Sequence, residues 1–105
     1  MAAIYSTNFF TGNVTATGDT TLFEVPTGYV VVLRDLRMTP YSAAPGTSYF
    51  IVAGALVFSS GSAPAEWATY QSDCRIVLPA GAILQFGNGG GSWSVSASGY
   101  LLSTA

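Results

Sequence analysis

At 105 residues the chain is long enough for one modest core and too short for two domains. Half of its residues are hydrophobic and only 8% are charged, with three Arg, no Lys, no His and a formal net charge of −2. That balance excludes the cation cluster nucleic-acid binding needs, and it removes the commonest metal ligand and the commonest general base together.

With so little charge, the surface has to be covered by Ser, Thr, Gly, Ala, Asn and some apolar groups. Either neighbours cover it, or the protein is a monomer with a Ser/Thr-rich surface; the weak net charge favours neighbours.

No stretch keeps a helical period, whereas Val, Ile, Thr, Tyr, Phe and Trp recur in short runs punctuated by Gly, Pro, Asn and Ser. Strands are expected at approximately 3–10, 12–17, 20–25, 29–39, 48–53, 55–60, 74–78, 82–87 and 92–103. The expected fold is an all-β antiparallel sandwich, jelly-roll-like or immunoglobulin-like, of about eight or nine strands.

The start, "MAAIYSTNFF", lacks the basic and apolar segments of a secretory signal, so ordinary export is not expected. A single domain over 1–105 is expected, with residues 1–11 free to act as an N-terminal arm. "NVT" at 13–15 satisfies a glycosylation sequon that is incidental without export.

Pro26 and Gly28 mark a turn before "YVVVL", a run read as buried on both faces. Beyond it, Arg34, Asp35 and Arg37 interrupt the most strand-like part of the chain. Strict alternation forces Arg34 or Asp35 toward apolar neighbours, where a lone charge is costly. Three accounts stay open: a pair between Asp35 and Arg34, Arg37 or Arg75; a bulge; or a contact with another chain.

"YFIVAGALVF" at 49–58 is half the length of a membrane span, so no membrane contact is expected. "SAPAEWATY" at 62–70 is the least regular stretch. Glu66 and Asp73 lack the pocket that acid/base work demands and read as solvated. Cys74 is unpaired and reads as a small buried hydrophobe, with no His or Lys to activate it.

"LPAGAILQF" at 78–86 repeats the pattern of "VPTGYVVVL" at 25–33, either as an internal echo or as a chance reuse of a common turn. "FGNGGGSWS" at 86–94 has neither a following helix nor a Lys, so it reads as a mobile hairpin loop and not a phosphate cradle. In "SWSVSASGYLL", Trp93, Val95, Ala97 and Leu101 share one face, opposite Ser94, Ser96 and Ser98.

Aromatics outside the clean strands, namely Tyr5, Phe9, Phe10, Trp67, Tyr70 and Tyr100, are either lids on the core or anchors in an interface.

In "VPTGYVVVLRDLRM", "VAGALVFSSG", "LPAGAILQF" and "WSVSASGYLL", taken in this order over about residues 20–103, the chain resembles small β-sandwich structural proteins of tailed bacteriophages. The resemblance implies a virion structural protein without catalytic activity, cofactor or metal. Its short independent form favours a capsid decoration (minor capsid) protein on the head surface, assembled in host cytoplasm. The major capsid protein is the implied partner, and a homo-oligomer, with a trimer favoured, the implied state. A tail or fibre module binding host glycan through Trp67, Tyr70 and Trp93 is the alternative. Tyr5, Phe9, Phe10, Arg34, Asp35, Arg37, Trp67 and Tyr70 are the expected interface residues.

Overall fold

The computed structural model describes residues 4–104, with side chains from Thr7 onward. Eight strands form: β1 (Ile4–Val14), β2 (Gly18–Glu24), β3 (Tyr29–Pro40), β4 (Tyr49–Val52), β5 (Ala55–Ser59), β6 (Tyr70–Leu78), β7 (Ile83–Asn88) and β8 (Trp93–Ser103). The strands expected at 3–10 and 12–17 form one continuous strand over Ile4–Val14, with residues 15–17 outside it, and residues 1–3 of the expected strand and arm lie outside the described residues. Residues 4–11, which the sequence leaves free to act as an arm, therefore lie within β1, paired to β8.

One sheet has the order β1-β8-β3-β6 and the other β2-β7-β4-β5, with every pairing antiparallel. The pairs β1–β8, β2–β7, β3–β6 and β4–β5 nest inside one another, as in a long two-stranded ribbon whose successive segments pass alternately to the two sheets. That is the eight-stranded jelly roll, and it separates this fold from the immunoglobulin alternative.

The core lies between the inner faces. Trp93, Val95 and Ala97 of β8 meet Phe86 and Leu84 of β7, Phe50 of β4, and Val31, Leu33, Leu36 and Met38 of β3. Phe86 sits edge-on to Phe50 at 5.5 Å and tilted against Trp93 at 5.9 Å, favourable ring geometries that add to simple burial. The alternation read from "SWSVSASGYLL" is the one that forms.

The buried positions of β3 are Val31 and Leu33, then Leu36, Met38 and Pro40. The shift in parity occurs at Arg34, where the register with β8 slips by a residue between Leu33 and Asp35. A β-bulge inserts one residue and re-aims those that follow. Neither charge therefore faces the core, and the conflict seen under strict alternation disappears. Similar slips fall between Asn8 and Phe10 on β1 and between Thr21 and Phe23 on β2, so Phe9 and Phe10, and Leu22 and Phe23, all pack against the core.

The bulge demands a glycine on the neighbouring strand. A Cβ on Gly99 would lie 2.0 Å from the Val32 carbonyl oxygen and 3.1 Å from the Arg34 nitrogen. No other residue leaves room for β3 to bend here.

The two Pro-x-Gly turns are structurally equivalent. Tyr29 N–H donates to Pro26 O at 3.2 Å and Ala82 N–H to Pro79 O at 3.1 Å, with Gly28 and Gly81 both at φ 85. This positive φ suits the third residue of a type II turn. The turns also bond to each other, Val25 N–H to Ala82 O at 3.0 Å and Gly81 N–H to Val25 O at 2.9 Å. Each opens a central strand of a different sheet, so the echo in the sequence is structural.

The glycine-rich segment is a crossover between sheets and not a hairpin loop, because β7 and β8 belong to different sheets. It is held by buried Asn88, whose Nδ2 donates to Ala16 O at 3.1 Å and Gly91 O at 2.9 Å while its Oδ1 accepts from Gly90 N–H at 2.9 Å. Trp93 Nε1 donates to Gly90 O, and Gly46 N–H bonds the same carbonyl. These bonds replace the mobility expected from composition.

Candidate functional site

Strand β3 is flanked by β8 and β6, so its outward side chains lie mid-sheet between two ladders. On this outer face, Val32, Arg34, Arg75, Val77, Tyr100 and Leu102 line an open trough of about 420 Å³. Val77 is 61% exposed and Tyr100 38%. The run "YVVVL" is thus buried on one face only, with Val32 turned outward.

Arg34 crosses the trough wall. Its Nε donates to the Cys74 carbonyl at 3.1 Å, and its guanidinium carbon lies 5.9 Å from the centre of the Tyr100 ring, within cation–π range. No ion pair involving Arg34 or Arg75 occurs among the described residues. The trough is apolar apart from Arg34 and Arg75, which lie side by side on β3 and β6, and no carboxylate lines it.

Beside it lies a second cluster of opposite balance. Asp35 and Asp73 are direct cross-strand partners on the same face. Arg37 Nε is 3.0 Å from Asp35 Oδ2, a pair with an exposed Arg37 and a half-buried Asp35. Gln71 Nε2 donates to Asp35 Oδ1 at 2.9 Å and more loosely to Asp73 Oδ1 at 3.3 Å. Of the three accounts of this stretch, two hold at once: a bulge, and an ion pair to Arg37 rather than to Arg34 or Arg75.

Cys74 sits half-buried between the clusters, its Sγ 3.6 Å from Leu33 O. Burial pushes its thiol pKa up, helped by the charges of Asp35 and Asp73 and opposed by Arg34. Such a thiol is held away from the reactive thiolate form.

The expected site residues do not gather in one place. Tyr5 pairs with Leu101 through the β1 backbone, and its side chain is outside the described residues. Phe9 and Phe10 pack on the core, with the Phe9 ring 4.8 Å from that of Phe23. Tyr70 is half-buried beside Trp93 at 6.5 Å, its hydroxyl accepting from Ala65 N–H at 2.8 Å. Trp67 is 68% exposed, in the left-handed region at φ 66, with Tyr41 at 6.3 Å and its own N–H bonded to Pro40 O. Trp93 is fully buried and cannot stack on a sugar, which corrects the expectation for it.

Among the expected residues whose side chains are described, only Arg34, Asp35 and Arg37 share the outer face with the trough. Arg75, Val77, Tyr100 and Leu102 complete it. Their signal is present in the sequence, since the parity carrying Ser94, Ser96 and Ser98 ends in Tyr100 and Leu102. The same reading of β6 places Asp73, Arg75 and Val77 opposite buried Leu78.

Among the described residues, no group of three or more His, Cys, Asp or Glu is placed to hold a metal ion, and no buried side-chain polar atom lacks a hydrogen-bond partner.

No family model matches the chain, and no curated protein matches it. Solved structures do. The chain is similar to that of the infectious bursal disease virus VP2 subviral particle, at 14% identity and a TM-score of 0.48, over 97% of this chain and 33% of that one. It is also similar to chains from the Gx strain of infectious bursal disease virus (14% identity, TM-score 0.47, 98% of this chain and 32% of that one) and the Gt strain (14%, 0.46, 97% and 33%). This chain spans about a third of the length of those structures.

Proposed function

We propose that this protein is a structural component of a virion, a non-catalytic capsid decoration protein that binds the assembled head of a tailed phage and stabilises it. The observation that carries the reading is the outer face of the β1-β8-β3-β6 sheet. It offers an apolar trough with exposed Val77 and Tyr100, flanked by Arg34, Arg75 and the Asp35–Arg37 pair, and an apolar centre with a charged rim is the anatomy of a protein–protein contact. The sequence resemblance to phage β-sandwich structural proteins supports the same role. Each copy would bridge neighbouring shell subunits, so that opening the shell requires breaking additional contacts.

Heat challenge tests it. Heads assembled with the protein should survive a temperature that opens heads lacking it, and equal survival of both would sink the cementing role.

A second reading rests on exposed Trp67 and half-buried Tyr41, whose rings lie 6.3 Å apart in a region apart from the trough. Such a pair suits stacking on a sugar ring, as a tail or fibre module would require. Binding to host-surface glycan that disappears in Trp67→Ala would move the assignment to the tail.

A further inference from the structure

β6 is the last strand of its sheet, nine residues long, and among the described residues its side away from β3 has no neighbouring strand. An edge of that length is a template for another strand unless charges or irregularities blunt it, and although the register with β3 slips between Ile76 and Asp73, the side chains of β6 alternate without a break. On β6 the outward residues are Gln71, Asp73, Arg75 and Val77, in alternation with Ser72, Cys74 and Ile76. The two charges have opposite sign and lie on either side of Cys74, the midpoint of Tyr70–Leu78.

We propose that two copies of this chain pair antiparallel through β6, with a two-fold axis at Cys74. In that register Asp73 of each copy faces Arg75 of the other, Gln71 faces Val77, and Cys74 faces Cys74. Tyr70 faces Leu78, so the pairing uses the whole strand. The two sheets join into one, with β6 beside β6 at its centre. A two-fold contact of this kind is self-complementary by symmetry.

Within one copy the charges are poorly matched. Asp35 and Asp73 are directly opposed, an unfavourable arrangement for like charges, and Arg37 reaches only Asp35. Among the described residues, Asp73 has a long bond from Gln71 and no cation, while Arg75, two residues along, has no carboxylate. The two-fold supplies each with the partner it lacks.

The alternatives are disfavoured by the same residues. A register centred on Asp73 sets Asp73 against Asp73, and one centred on Arg75 sets Arg75 against Arg75. Registers centred between residues oppose an outward side chain to an inward one and break the continuous faces of the sheet. The charge pattern therefore selects one register and rejects its neighbours. This contact makes pairs, and a ring of three would need a different surface. It stands on the β6 edge alone, independent of the role in a virion.

The test is sedimentation of the full chain over a wide concentration range at low salt, where ion pairs are least screened. The unaltered chain should show a concentration-dependent monomer–dimer equilibrium. Arg75→Asp and Asp73→Arg should each weaken the dimer by about tenfold or more, since each turns two attractive pairs into repulsive ones. The double variant Asp73→Arg/Arg75→Asp restores complementarity and should return the dimer to within about threefold of the original. Unfolding midpoints of all four proteins check that the fold is intact.

Cys74 gives a second readout: diamide, which accepts both thiol hydrogens, should link the unaltered chain into a covalent dimer at least about tenfold faster than Arg75→Asp, each rate divided by the same chain's rate with iodoacetamide so that the changed charge beside the thiol cancels. A chain that stays monomeric throughout, a dimer indifferent to both single reversals, or a double variant that fails to recover would each overturn the proposal.

Discussion

Gly99→Ala tests whether the Arg34 bulge is built into the fold. The added methyl would sit 2.0 Å from the Val32 carbonyl oxygen, and that oxygen belongs to the backbone of a strand held on both sides. Relief to an ordinary contact near 3.4 Å requires β3 and β8 to part by more than about 1 Å at the middle of the sheet, next to fully buried Leu33 and Ala97. Overpacking of this kind costs about 1–3 kcal/mol, and the absence of any movable side chain puts this case at the upper end. A loss of about 2–3 kcal/mol lowers the thermal midpoint of a domain this size by roughly 10–20 °C. Urea unfolding of both proteins, analysed with a common slope, measures it directly. A loss below about 0.5 kcal/mol would show that the two backbones do not approach as described, and the account of the outward charges would fail with it.

Asn88→Ala removes three hydrogen bonds from the inter-sheet crossover and leaves two carbonyls and one N–H to find new partners, so it should cost about 2–4 kcal/mol in the same urea assay. Arg37→Ala breaks a solvent-accessible ion pair, in which Asp35 keeps its bond from Gln71, and should cost less than about 1 kcal/mol, measurable by chemical unfolding and reduced further by salt. Arg34→Ala loses one bond to the Cys74 carbonyl and the contact with Tyr100, and a loss of about 0.5–1.5 kcal/mol is expected by the same method. The Cys74 thiol, with its pKa raised, should react with iodoacetamide more slowly than the same cysteine in the unfolded chain, and the gap should close as the solution is made more alkaline. Equal rates near neutral pH would show that burial does not hold the thiol protonated.

The sheets were legible where alternation is strict. β8 could be read residue by residue, because serine marks one face and core residues the other from Trp93 to Ala97. The paired Pro-x-Gly turns were legible too, since each motif carries its own backbone geometry. What alternation could not convey was the bulges. A single inserted residue reverses the parity of everything after it, so Phe9 and Phe10 read as a loose aromatic group and Arg34 with Asp35 as a conflict. The crossover at Asn88 was hidden for another reason: glycine-rich composition signals freedom, whereas the bonds that remove it come from residues far away in sequence, Ala16 and Ser48 among them. The trough escaped notice because its residues come from three strands whose adjacency follows from the strand order alone.

The most direct test of the proposed structural role is the number of copies of this chain in virus particles purified from cells that express it, by quantitative peptide mass spectrometry against the major shell protein. A decoration protein spread over the head lattice predicts hundreds of copies in fixed ratio to that protein. A handful per particle, or none, would contradict the account and move the protein to the tail or out of the virion.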